Sequence, residues 1–119
     1  MLLPKTQIHL RVGDANRSVA FYEALLGTTA RRSEGGAMFD LDLPPLVLIV
    51  QEPSGRIPPA RFALLVGDPR RIGSTAVALR RAGIRLTLGD RGVSAVDPDG
   101  NEWRVHVGRS PDAVAVLAV

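Results

Sequence analysis

Leu10-Arg11-Val12-Gly13-Asp14 closes a strand-like segment and opens a helix, and Leu64-Leu65-Val66-Gly67-Asp68 repeats the pattern with Val-Gly-Asp 54 residues further on. Self-similarity at that spacing signals a duplicated supersecondary unit. Before the first copy, residues 7–13 alternate apolar and polar at period two, as a half-buried strand does. After it, Asp14 is placed to cap a helix running to Leu26, where Gly27 ends it. Val19, Tyr22 and Leu26, with Phe21 and Leu25 alongside, give this helix an apolar stripe that must lie on a sheet. The second copy opens with Asp68 as the cap and Pro69 at the first helical position. Ile72, Ala76 and Leu79 form its stripe, Gly73 is read as a point of close approach, and Gly83 matches Gly27 as the stop.

Strand-like stretches fill the rest of each half. In the first they fall near 28–33, 36–42 and 46–51, separated by Glu34-Gly35-Gly36 and Leu43-Pro44-Pro45. In the second they fall near 84–88, 91–96 and 101–107. The reading is one α+β domain over 1–119, made of two tandem βαβββ modules. Module one covers about 5–52, a Pro/Gly-rich linker 53–59, module two 60–108 and an apolar tail 109–119. Asp97-Pro98-Asp99-Gly100-Asn101 superficially resembles a calcium loop, but it lacks the distal bidentate Glu and reads as a hairpin turn.

The chain of 119 residues holds one core, and with 45% hydrophobic and 23% charged residues it is globular rather than disordered. No cysteine is present, which removes disulfides, thiolate metal sites and a cysteine nucleophile. That composition fits a reducing compartment, and cytoplasmic location is expected. Apolar runs such as Leu46–Val50 and Ala113–Val119 are far below the roughly 20 residues of a membrane helix, so neither a membrane span nor a leader is expected. The net charge is +3, and Lys5 is the only lysine among 15 cations. The arginines are scattered as pairs and only five aromatics are present, a poor footprint for nucleic acid. An anionic small ligand remains compatible.

The two modules, with Leu-Arg-Val-Gly-Asp, Ser-Val-Ala-Phe-Tyr-Glu-Ala-Leu-Leu-Gly (residues 18–27) and the closing Asp-Pro-Asp-Gly-Asn-Glu-Trp (97–103), resemble the vicinal oxygen chelate superfamily of glyoxalases, bleomycin-resistance proteins and extradiol dioxygenases. Pro44-Pro45-Leu46-Val47-Leu48 and the short length look most like its cadmium-induced and organoarsenical-lyase branch, without that branch's cysteine pair. The resemblance implies concave sheet faces enclosing a pocket and, in catalytic members, a divalent metal held by the first and last strands of each module. Those positions fall here on Gln7, Arg61, Ile49 and Arg104. Glutamine can ligate a metal, whereas Ile has no donor and guanidinium cannot bind a cation. No metal or other cofactor is therefore expected.

Arginine in place of two ligands makes the same surface attractive to a carboxylate or phosphate. Strand alternation turns Gln7, His9 and Arg11 toward the cavity and Ile8, Leu10 and Val12 toward the helix. It likewise sets Glu102, Arg104 and His106 opposite Trp103, Val105 and Val107. Gln7, His9, Ile49, Arg61, Glu102, Arg104 and His106 are thus the candidate ligand-binding residues, with no catalytic residue identified. The function expected is metal-independent binding, by sequestration, of an anionic or amphipathic small molecule. The alternative is a glyoxalase-type lyase or dioxygenase-like enzyme with a non-standard or absent metal site, or acid–base chemistry through His9, His106 and Glu102. A homodimer is expected, with the apolar tail adding to a partner or to the other subunit in a third, interaction-protein reading. Neither nucleic acid nor membrane is expected as a partner.

Overall fold

The computed structural model describes residues 4–55, 58–108 and 115–118. Module one runs β1 (Thr6–Arg11), α1 (Ala15–Leu26), β2 (Arg31–Ser33), β3 (Gly36–Leu41) and β4 (Leu46–Gln51). Module two repeats this order as β5 (Arg61–Val66), α2 (Arg70–Arg81), β6 (Leu86–Leu88), β7 (Gly92–Val96) and β8 (Glu102–Val107), followed by β9 (Ala115–Ala118). The first strand of each module pairs parallel to its last, β1 with β4 and β5 with β8, while the hairpins pair antiparallel. The sheets are ordered β1-β4-β3-β2 and β6-β7-β8-β5-β9. This is the α+β pair of βαβββ modules expected.

The caps explain where α1 starts and stops. The Asp14 carboxylate accepts the Arg17 N–H at 3.2 Å, and Gly27 takes the left-handed conformation at φ 68°, its N–H donating to the Glu23 carbonyl. The following strand begins at Arg31 rather than near 28, because the Glu23 carboxylate takes the Ala30 N–H at 3.0 Å and holds that segment against the helix. α2 begins one residue later than expected: Pro69 occupies the cap position, and Asp68 reaches past it to accept the Arg70 N–H at 2.9 Å. Gly73 is not a close approach, since a Cβ there would meet nothing within 4 Å. Its freedom from contact follows from its place on the outer side of α2, away from the stripe of Ile72, Thr75, Ala76 and Leu79.

Both helices press their stripes onto one continuous core that includes Val19, Phe21, Tyr22, Leu25, Leu26, Phe39, Leu64, Leu79, Trp103 and Val105. Trp103 is fully buried, stacked on Phe62 at 4.5 Å and edge-on to Tyr22 at 5.6 Å. Its indole N–H donates to the Tyr22 hydroxyl at 2.8 Å, and that hydroxyl donates to Asp97. Asp97 in turn accepts the backbone N–H groups of Asp99 and Asn101 and the Asn101 amide. The Asp97–Asn101 segment is therefore the expected turn, organised around the buried Asp97 carboxylate. Because Tyr22 belongs to module one and Asp97, Asp99, Asn101 and Trp103 to module two, this network also fastens the modules together.

The Arg71 guanidinium adds a second fastening, donating to the carbonyls of Leu43 and Leu26 across the module boundary. Among the described residues no helix is long and apolar enough to cross a membrane. Residues 56–57 of the linker and 109–114 and 119 of the tail lie outside the described residues.

Candidate functional site

Period-two alternation distributes the candidate side chains as expected. In β1 Gln7, His9 and Arg11 are exposed while Ile8 and Leu10 lean on the core. In β8 Trp103 and Val105 are fully buried, Arg104 is exposed and Glu102 and His106 are partly so.

The two modules gather separate groups. On sheet one, His9 lies beside Ile49 in the β1–β4 ladder, and its ring nitrogen Nε2 is 3.4 Å from the Gln7 amide oxygen. On sheet two, Arg61 lies beside Glu102, with Nε 3.6 Å from Oε2. The Arg61 side chain is 75% exposed, so this pair contributes little to stability. Arg104 and His106 continue along β8 on the same face and, with Arg91, Ser94, Thr87 and Gly92, line an open cavity of about 280 Å³. Glu102 instead lines a neighbouring hollow with Arg85 and Thr87, and His9 borders a third with Arg11, Ser54 and Asp99. Gln7, Ile49 and Arg61 line none of these.

Gly92 shapes the basic cavity. It sits opposite His106 in the β7–β8 ladder, and a Cβ there would come within 2.6 Å of the His106 Cβ and 2.8 Å of the Val105 carbonyl. Only glycine lets β7 close on β8 at this point, leaving space above His106. Ser94 is the direct neighbour of Arg104. The lining therefore supplies two guanidinium groups, an imidazole and two hydroxyls, and no carboxylate. That is the chemistry of an anion site.

Arg91, Ser94 and Thr87 were not among the residues read from sequence. The available signal is the alternation of β7, where Val93 and Ala95 are 1% and 4% exposed and Gly92 and Ser94 turn outward. The four positions where a metal ligand would be sought present an amide, a hydrocarbon and two guanidinium groups, divided between the two sheets. That donor set does not fit a divalent cation. Among the described residues no three His, Asp or Glu side chains gather where they could hold one.

With this geometry in place, comparison with known proteins decides the family. The model of the Glyoxalase/Bleomycin resistance protein/Dioxygenase superfamily matches residues 6–105. The chain belongs to that superfamily. A trivalent organoarsenical cleaving enzyme of Thermomonospora curvata is 29% identical over 118 residues, covering 88% of this chain and 78% of the relative. Among solved structures, a glyoxalase/bleomycin resistance protein from Catenulispora acidiphila superposes with TM-score 0.68 at 21% identity, covering 87% of this chain and 97% of the other. A fosfomycin resistance protein from Listeria monocytogenes gives TM-score 0.68 at 17% identity, with coverages of 91% and 93%. Likeness at this level of identity establishes the shared fold, and superfamily members of one architecture carry different activities.

Proposed function

We propose that this member of the superfamily binds a small anionic or amphipathic molecule without a metal, seating the anionic group against Arg104, Arg91 and His106. The observation that carries the reading is the cavity of about 280 Å³ on the outer face of sheet two, whose charged lining is entirely basic or imidazole. Two guanidinium forks offer bidentate hydrogen bonds to a carboxylate, phosphate or related oxoanion. Ser94 and Thr87 supply neutral hydroxyls to orient it. Exposure of the site keeps the attraction open to screening, so binding weakens as salt rises.

Calorimetric titration with phenyl phosphate, and with phenol as the neutral counterpart, tests this directly. Phenyl phosphate is expected to bind and phenol not to, with Arg104→Gln losing about tenfold or more in affinity, a step of about 1.4 kcal/mol. Equal affinity for the two probes would refute an anion site.

The organoarsenical cleaving relative favours a second reading, a lyase or dioxygenase-like enzyme of the same superfamily. His9, His106 and Glu102, the acid–base candidates, border three different hollows, which gives that reading no assembled catalytic group. Substrate turnover that appears only on adding Zn, Ni, Mn or Fe would establish it over binding alone.

A further inference from the structure

Arg71 carries a charge that its own contacts leave unbalanced. Its guanidinium donates to the Leu43 carbonyl at 3.2 Å and to the Leu26 carbonyl at 2.9 Å, using two of the five N–H donors such a group offers. Among the described residues no carboxylate forms a salt bridge with it. The side chain is nonetheless partly buried, and that burial lowers its pKa below the ordinary arginine range. A cation drawn out of water costs free energy unless a counter-charge stands beside it, and two carbonyls supply partial charge alone.

Arg71 lines a cavity of about 330 Å³ at the boundary of the modules, which shares no residue with the basic cavity on sheet two. Module one supplies Leu43, in the turn between β3 and β4, whose side chain is 73% exposed and so lacks cover within the chain. Module two supplies Val66 at the end of β5 and Ser74 on α2. The other charged groups of the lining are Asp68 and Arg70, and they neutralise each other. Arg70 Nε lies 3.2 Å from both Asp68 carboxylate oxygens, and its Nη2 donates to Oδ2 at 3.0 Å. The surplus in the cleft is therefore the one positive charge of Arg71, with hydrocarbon beside it.

We propose that this cleft binds an amphipathic monocarboxylate, with the carboxylate on Arg71 and the apolar body against Leu43 and Val66. A single guanidinium can give two parallel N–H bonds to one planar carboxylate. The two guanidinium groups of sheet two suit a more highly charged oxoanion. The cavity is of the size that small-molecule sites occupy. Partial burial of Arg71 also leaves the pair less screened by salt than one on an open surface. Arg71 and Leu43 belong to different modules, so an occupied cleft adds a tie across the boundary and raises the Tm. The inference stands independently of the ligand reading for sheet two.

Titration of the parent chain with phenylacetate, and with phenylacetamide as the neutral counterpart, followed by amide nitrogen–proton spectra, separates the two sites. Phenylacetate is expected to shift the Leu43, Gly67 and Arg71 amides together along one saturating curve, with at least tenfold weaker binding of phenylacetamide. Any occupancy of sheet two is read separately at Gly92 and Ser94. Arg71→Met is expected to abolish the shifts around the cleft. Because that change also removes the bonds to Leu43 and Leu26, Ser74→Glu provides a second variant. Ser74 is exposed one turn along α2 from Arg71, so the new carboxylate takes the place of the ligand's, and affinity is expected to fall at least tenfold with circular dichroism unchanged. Absence of saturable shifts at these amides, equal affinity for phenylacetamide, or parental affinity in folded Ser74→Glu would overturn the proposal.

Discussion

Tyr22 shows how one side chain joins packing to polar satisfaction. Its ring is fully buried between Phe21, Phe39 and Trp103, and its hydroxyl donates to Asp97 while accepting from the Trp103 indole. Burial first, then the neighbouring Asp97 carboxylate, pushes its pKa above the ordinary 10.0. The folded state therefore holds this proton where the unfolded chain gives it up. Stability from this group is complete below pH 10 and falls as pH rises past 10 toward the folded value. Thermal melts from pH 8 to 11 are expected to show a declining Tm, with a shallower decline in Tyr22→Phe. That variant also leaves the indole N–H without an acceptor, at a cost of about 1–3 kcal/mol by urea unfolding at pH 7. Gly92 ties packing to the site in a comparable way. Gly92→Ala must force β7 from β8 at His106, so it is expected to lower both the midpoint of unfolding and phenyl phosphate affinity.

At the level of elements, caps and periodicity were readable because they are local. Asp14 and Gly27 bound α1 through groups within four residues, and the apolar stripe of α1 falls on the buried residues. Asp14→Ala is expected to cost about 1 kcal/mol by the same unfolding assay, with the helix still formed. Gly73 was misread because a helical glycine has the same appearance in sequence whether it faces a neighbour or solvent. The tail shows a second limit. Residues 113–119 are apolar enough for a strand, but sequence does not say which edge a strand joins. The pairing of Phe62 with Ala118 and of Leu65 with Ala115 depends on the distant fold of β5. The candidate site was partly readable for the same reason. Alternation placed Arg104 and His106 on the outer face of β8, yet Arg91 and Ser94 join them only through the β7–β8 register.

Across the whole molecule, the duplication builds two similar sheets whose helices share one core, leaving the outer faces to diverge. Sheet one carries Gln7, His9 and Ile49, and sheet two carries the basic cavity. Nothing in the core requires Arg91 and Arg104 to be arginine, since both are exposed, Arg91 in the turn before β7 and Arg104 on β8. Their removal is therefore expected to alter binding and not folding. The most direct test is calorimetric titration of phenyl phosphate into the parent chain and into a combined Arg91→Gln and Arg104→Gln variant, each at low and at high salt. Binding that the parent shows, that salt weakens and that the folded double variant lacks is the expected result. Retention of the parent's affinity by the double variant would contradict an anion site on sheet two.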